Sequence, residues 1–262
     1  GAAARDGEVL PLFVLEPSSL GPARARARAH RTQFLLDSLG ALEADLAARG
    51  ARLLVVAGPA TEVLPRLVRA WGVDRVMAHR VTEPAGRERE RRLATSLGAQ
   101  FELFAGETLV PPGTLRNGAG APYSVFTAFA RAWRRAAAIE RPRPAPRALP
   151  PLPAGLGAGT TPLPTLAALG ITRNAALLPG GEGAAKERLR RFLRVGLRDY
   201  AGRRDRLDLP GTSRLSADLA MGTLSVRELW AAVERVARSG DGAAALLGLV
   251  GSTARALKRL TA

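Results

Sequence analysis

The sequence contains no cysteine and only two histidines among its 262 residues. Without cysteine there can be no disulfide bond and no thiolate metal site. His30 and His79 have no second type of metal ligand at a suitable spacing, so we predict no metal site. No apolar run approaches the ~18 residues of a membrane helix, and no basic segment followed by an apolar one opens the chain. The composition therefore predicts a cytoplasmic protein without a membrane segment.

Acidic residues are also scarce. The chain has 23 Asp and Glu against 39 Lys and Arg, which gives a net charge of +16, and all but two of the cations are arginines. Arginine can bind phosphate through two parallel hydrogen bonds, so one interpretation is a polyanionic partner. The alternative is a charge that serves solubility alone. A GC-rich genome would explain abundant arginine and alanine but not the shortage of acids, so we favour the polyanion.

Short apolar runs alternate with helical patterns in the first part of the chain. This alternation predicts a Rossmann-like parallel α/β sheet, which we assign to residues 1–120. The first predicted helix carries an apolar stripe that includes Leu39 and Leu42, and Thr61 is the expected cap of the second. The predicted strands cover residues 9–15, 53–57, 76–78 and 101–104, and the predicted helices cover 32–49, 61–70 and 83–97.

The second part of the chain is expected to be helical. Residues 121–164 are rich in proline and glycine, which is typical of an interdomain linker, and one helix is predicted within them at 124–139. An all-α domain is assigned to 165–262. Its first helix, predicted over 182–200, places leucines inward and a row of arginines outward, and residues 184–206 carry a net charge of +6.

No catalytic residue is predicted from motifs. The chain lacks a Gly-x-Ser-x-Gly elbow, a Walker loop and a His-Glu-x-x-His motif, and its acids are scattered among arginines. The best polar cluster is GTSRLS at 211–216, which precedes a predicted helix at 217–221. Hydroxyls and backbone N–H groups beside an arginine can bind phosphate. The same residue types also cap helices that bind no ligand, so both interpretations remain open from this pattern.

An ordered series of segments resembles the photolyase/cryptochrome family. The resemblance covers about residues 8–240 and implies an antenna-type α/β domain followed by a helical FAD-binding domain. The segments are TQFLLDSL at 32–39, LLVVAGP at 53–59, EPAGRERE at 83–90, PYSVFTAFARAW at 122–133, GGE at 180–182 with the leucines at 189–193, YAGRRD at 200–205, GTSRLS at 211–216 and GTLSVRELW at 222–230.

The resemblance implies FAD as the cofactor and DNA that contains pyrimidine dimers as the partner of a monomer. The implied activity is that of a DNA photolyase, a carbon–carbon lyase in which light drives electron transfer from reduced FAD to a cyclobutane pyrimidine dimer. Arg204 matches an arginine that reaches bound DNA in the family. The FAD-site residues by resemblance are Tyr200, which would flank the flavin, and Thr212, Ser213, Arg214, Leu215 and Ser216, around the diphosphate and ribityl portion.

Three departures from the family pattern modify this expectation. The chain begins after the family's first strand, which is central in the related fold, so the sheet is expected to be split. Ala85 and Gly86 replace an Asn-Glu pair that binds a folate antenna in some relatives, so folate is not expected and the antenna is left open. Residues 251–253 read Gly-Ser-Thr where the family has Trp-Arg-Glu. We therefore expect a truncated, impaired photolyase; the alternatives are a cryptochrome-type blue-light photoreceptor and a non-catalytic, basic nucleic-acid-binding fragment.

Overall fold

The computed structural model describes residues 7–136, 139–153 and 155–238. The chain divides into two compact units, one of residues 1–78, 87–104 and 143–184 and one of residues 79–86, 105–142 and 185–262. The predicted departure at 251–253 lies outside the described residues. No helix in the described ranges is long and apolar enough to cross a membrane.

Four short strands lie at the positions that the sequence predicts. They are β1 (Leu12–Leu15), β2 (Leu54–Ala57), β3 (Val76–His79) and β4 (Phe101–Phe104). β1 runs parallel to β2, with Leu12 opposite Leu54 and Leu15 opposite Ala57, while β3 and β4 form a second pair. The described strands thus form two two-stranded sheets instead of the single sheet that alternation alone predicts. A split sheet is also what the departures from the family pattern predict.

Helices alternate with these strands and bury the apolar face of the first sheet. Val56 on β2 is 1% exposed and packs against Val63 and Leu67 of the helix that follows it. This packing of helices on parallel strands confirms the mixed α/β class. The helices are α1 (Pro17–Leu20), α2 (Pro22–Ala27), α3 (Ala29–Ala47), α4 (Ala60–Trp71) and α5 (Pro84–Leu97), and a 3₁₀ turn covers Gly98–Gln100.

Two details of the helix prediction are wrong. Leu42 was placed on the apolar stripe of α3 with Leu39, but Leu42 is 43% exposed and Leu39 is 5% exposed. Thr61 does not cap α4, because the helix begins one residue earlier, at Ala60. The backbone N–H of Ala60 donates to Oε1 of Glu16 at 3.2 Å. A carboxylate from the end of β1 therefore replaces a local cap.

The proline-rich segment, which the composition predicts to be an interdomain linker, belongs from residue 143 to the first unit and is hydrogen-bonded within it. The N–H of Leu149 donates to the carbonyl of Arg49 at 2.8 Å, and the N–H of Thr161 donates to the carbonyl of Val55 at 2.8 Å. Val55 belongs to β2, so the segment covers the edge of β2 that does not pair with β1. The boundaries between the two compact units do not fall at residues 120 and 164. The domain boundaries that the sequence suggests at those positions stay a prediction.

The second unit is built from helices. They are α6 (Phe126–Ala136), α7 (Glu182–Arg191), α8 (Tyr200–Arg203), α9 (Ser216–Met221) and α10 (Val226–Arg238). A π-helical turn at Phe192–Gly196 interrupts the helix that the sequence predicts to be continuous from 182 to 200. A Cβ at Gly196 would lie 2.8 Å from the Phe192 ring, so glycine allows that ring to fold back over the turn.

Two apolar clusters hold this unit together. Ala185 and Leu189 of α7 pack against Leu215 and Leu224, which are 1% and 2% exposed. Phe192, Leu197 and Tyr200 form the neighbouring cluster. Since Leu215 lies near the end of the GTSRLS segment, this packing fixes one end of the best polar loop of the sequence to the body of the unit.

The leucine pair on α3 tests this description of the core. We predict that Leu39→Ala lowers the free energy of unfolding by about 2–5 kcal/mol, because it removes a buried side chain and leaves a cavity. Leu42→Ala, the same change one turn away, should cost less than about 1 kcal/mol because its side chain is partly in water. Urea unfolding of both variants measures the difference, and equal costs would contradict the placement of α3.

Candidate functional site

The segment between α8 and α9 is held very close to α8. Gly211 is buried, and a Cβ on it would collide with the backbone carbonyl of Arg203, the last residue of α8. Only glycine permits this approach. At the other end of the segment, Leu215 is inserted into the apolar cluster with Leu189 and Leu224. We call residues 211–216 the hydroxyl loop. Both of its ends are thus anchored in the second unit.

Arg214 has an unusual backbone conformation within the hydroxyl loop. Its φ is 54°, and it is the only non-glycine residue in the described ranges with a positive φ. A side chain in this left-handed region costs about 1–3 kcal/mol and persists only where the surroundings impose it. The anchors at Gly211 and Leu215 impose it here. Backbone strain of this kind is concentrated at binding and catalytic sites, and the Arg214 side chain is exposed.

Three hydroxyl groups in the loop are available to a ligand. Thr212 and Ser216 are exposed and Ser213 is half-buried, and none of these side chains forms a hydrogen bond to another described residue. The cap position of α9 is Leu215, and no side chain caps this helix. The helix-capping interpretation of GTSRLS is therefore wrong in this structure, because none of these hydroxyls accepts a hydrogen bond from the backbone N–H groups at the start of α9.

Tyr200 and Arg204 lie on the side of the loop that contacts α8, but both are largely packed. Tyr200 is 9% exposed, and its ring meets Phe192 edge-to-face at a centroid distance of 5.6 Å. The Arg204 side chain is 22% exposed, and its Nε lies 3.4 Å from Oδ2 of Asp205. A mostly buried guanidinium has less reach than an exposed one. The roles that the resemblance gives these two residues stay predictions.

A buried ion pair that sequence reasoning missed fixes the geometry of the loop. Asp218 of α9 is fully buried, and Arg188 of α7 binds it with two hydrogen bonds, Nη2–Oδ1 at 2.5 Å and Nε–Oδ2 at 3.0 Å. Thr223 adds a third, from Oγ1 to Oδ1 at 3.0 Å. A signal existed in the sequence, because Arg188 shares the inward helix face of Ala185 and Leu189. The prediction that the arginines of this helix all face outward is wrong for Arg188.

The remaining arginines do not form the continuous basic face that residues 184–206 suggest. Several of them form ion pairs with nearby carboxylates. The hydrogen bond from Arg206 lowers the pKa of Asp208 below its usual value. Arg191 and Arg194 are exposed and have no carboxylate partner among the described residues. The ion pairs of this segment include Lys186–Glu228 at 3.5 Å, Arg190–Glu187 at 3.1 Å, Arg203–Asp199 at 3.0 Å, Arg204–Asp205 at 3.4 Å and Arg206–Asp208 at 2.6 Å.

Comparison with known proteins shows the family to which this chain is related. The family model for DNA photolyase matches residues 1–151. This chain belongs to the DNA photolyase family. It is 36% identical over 240 residues to a deoxyribodipyrimidine photo-lyase of Thermus thermophilus, a match that covers 90% of this chain and 50% of that protein. An uncharacterized 31.6 kDa protein of Synechococcus sp. PCC 6716 is 33% identical over 248 residues, 91% of this chain and 85% of that one.

The fold of the chain is that of photolyases. The crystal structure of a bacterial class III photolyase from Agrobacterium tumefaciens superposes with a TM-score of 0.77 at 27% identity, over 90% of this chain and 49% of that one. Other photo-lyases and cryptochromes DASH match at 29% to 34% identity. The chain spans about half the length of these photolyase and cryptochrome relatives. In the described residues, no group of three or more His, Asp or Glu could hold a metal ion.

The buried ion pair can be tested by removing one partner. We predict that Asp218→Ala lowers the free energy of unfolding by about 3–5 kcal/mol, because it leaves the Arg188 charge buried without its carboxylate. Asp199→Ala, which removes an exposed partner of Arg203, should cost less than about 1 kcal/mol. Replacing both members by apolar residues, Arg188→Met with Asp218→Leu, should restore most of the loss. Urea unfolding compares the variants; an unchanged Asp218→Ala stability would refute this role.

Proposed function

We propose that this chain carries the diphosphate-binding side of the FAD site of a deoxyribodipyrimidine photolyase, which repairs cyclobutane pyrimidine dimers in DNA with light. The observation that supports it is the hydroxyl loop. In a fold of the photolyase family, three hydroxyl groups without internal partners lie on a strained, anchored loop beside an exposed arginine. A loop that is rigid before the ligand arrives loses little entropy when the ligand binds.

The side chains of the loop fit the diphosphate of FAD. Thr212, Ser213 and Ser216 would donate hydrogen bonds to phosphate oxygens, and Arg214 would supply the positive charge, since donors and cations are what a phosphate requires. Leu215 would act through its buried side chain, which holds the loop in position. When bound, FAD supplies the light absorption and the electron that dimer cleavage requires. Tyr200 would line the flavin pocket, in the position beside the flavin that the resemblance gives it.

The proposed substrate is DNA with a pyrimidine dimer, bound by a cytoplasmic monomer. Arg191 and Arg194 are the exposed cations of the α7 region that would contact phosphates, and Arg204 would reach the strand near the lesion. No side chain of the chain has to act as a general acid or base, because ring opening follows electron transfer. The antenna would be something other than folate, or absent, because Ala85 and Gly86 offer no side chain that could bind the folate.

A chimera tests the function directly. This chain would be joined to the parts of the Thermus thermophilus photo-lyase that it does not align with. We expect the chimera to purify with near-equimolar flavin and to repair a dimer-containing oligonucleotide under blue light, whereas the unextended chain purifies with little FAD and repairs nothing. Flavin absorbance and dimer content of the oligonucleotide are the measurements.

Variants of the hydroxyl loop supply the control within that chimera. Thr212→Ala with Ser216→Ala should lower FAD affinity at least about tenfold, because hydrogen bonds to charged groups contribute about 1.5–3 kcal/mol each. Ser18→Ala with Ser19→Ala, two exposed hydroxyls of α1, should leave it unchanged. Undiminished flavin binding in the loop variant would refute the assignment. A chimera that holds flavin and responds to light but repairs no lesion would make the cryptochrome-type photoreceptor the better proposal.

DNA binding by the unextended chain is a separate prediction. We expect weak binding without sequence preference that disappears as salt rises, because counterion release dominates such contacts. Arg191→Glu with Arg194→Glu should weaken it severalfold, and more than Arg204→Glu alone. Arg66→Glu with Arg69→Glu is the matched control, since this exposed pair has the same spacing on α4. Fluorescence anisotropy of a labelled duplex measures the affinities, and tight binding that is indifferent to salt would contradict the proposal.

A further inference from the structure

Two of the three tryptophans are not used in the core. Trp71 packs against the buried cluster of Val56, Val63 and Leu67. Trp133 on α6 and Trp230 on α10 are both half-buried and belong to none of the apolar clusters in the part of the chain that the structure describes. They contact each other edge-to-face, with ring centroids 5.3 Å apart and planes at 73°. Part of each indole surface therefore stays accessible to a ligand.

The two indoles line an open cavity in the second unit. Its volume is about 210 Å³, and its other lining residues are Arg134, Ile139 and Glu234. An edge-to-face pair leaves the face of at least one ring uncovered by the other. Stacking on such a face favours a flat, aromatic ligand over a branched aliphatic one. The volume suits a single planar heterocycle rather than an extended one.

The charges around the cavity favour an anion. Arg134, next to Trp133 on α6, lines the cavity; it is exposed and has no carboxylate partner among the described residues. The one acid of the lining, Glu234, is paired with Arg238, from Nη2 to Oε1 at 2.8 Å. Accessible indole faces beside such an arginine are the kind of surface on which proteins stack bases and bind the attached phosphates.

We propose that Trp133 and Trp230 form a stacking site for an unpaired nucleobase whose phosphate is bound by Arg134. The site uses no residue of the hydroxyl loop and does not depend on the flavin. Its ligand is either a base of a single nucleic-acid strand or a free nucleotide, since both present the same ring and phosphate. Base pairs within a duplex do not expose their faces, so duplex DNA is not the ligand.

The full chain with Trp71→Phe makes the two indoles the only tryptophan reporters. Titration with an oligothymidylate of eight residues should quench their emission to a saturating value. Thymidine monophosphate as a second probe distinguishes the sources: equal quenching by the monophosphate indicates a nucleotide site, and quenching by the oligomer alone indicates a single-strand site. No quenching by either probe at saturating concentrations overturns the proposal. A blue shift that grows with protein concentration also overturns it, because copies of the chain would then cover the indoles.

Affinities measured by anisotropy of a labelled oligothymidylate complete the test in the otherwise unaltered chain. Trp133→Leu or Trp230→Leu should weaken binding about tenfold, whereas Trp133→Phe, which keeps an aromatic face, should retain most of it and guards against a folding defect. Arg134→Gln should weaken binding and reduce its salt dependence, unlike Arg66→Gln, which removes an exposed arginine of α4. Ser18→Ala with Ser19→Ala, two exposed hydroxyls outside both sites, should leave the oligothymidylate affinity unchanged. Equal affinity of Trp133→Leu and the wild type refutes the proposal.

Discussion

The buried pair of Arg188 and Asp218 is the constraint on which the candidate site depends. A carboxylate removed from water must have its charge and its lone pairs satisfied, and here one guanidinium and the hydroxyl of Thr223 do so. The three partners come from α7, α9 and the turn before α10, so the pair ties these elements at one point. The hydroxyl loop leads directly into α9, which carries Asp218. The ion pair with Arg188 fixes α9, and the position of α9 in turn fixes that end of the loop.

The loop itself combines rigid ends with unused donors. Gly211 fits against the Arg203 carbonyl and Leu215 fills the apolar cluster, and between them Arg214 is held in a left-handed conformation. Strain at one residue is tolerated because the anchors on both sides leave the chain no relaxed alternative. The hydroxyls of Thr212 and Ser216 are then displayed with fixed backbone geometry. This arrangement suits a ligand with phosphate groups and explains why the same residues do not cap the helix.

Composition alone could not separate the uses of arginine and tryptophan in this chain. Arg188 is a structural residue, Arg190 and Arg206 are paired at the surface, and Arg191 and Arg194 are exposed without such partners among the described residues. The net charge does not depend on which arginines form ion pairs and which are free to bind a ligand. A surface that could bind a polyanion is therefore found only from the ion pairs of the folded chain. The tryptophans divide in the same way, one into the core and two into a surface pair.

The sequence by itself determined the local elements: the four strands, the helices that alternate with them, the irregular proline-rich segment and the position of the hydroxyl loop. Each of these follows from periodicity or composition within a few residues. Only the tertiary structure decided the π turn at Phe192–Gly196, the cap of α4 by Glu16, the inward Arg188 and the free hydroxyls of the loop. Most of these depend on partners distant in sequence, as with the 30 positions between Arg188 and Asp218. A pattern shows which face a residue occupies, whereas its partner is set by packing.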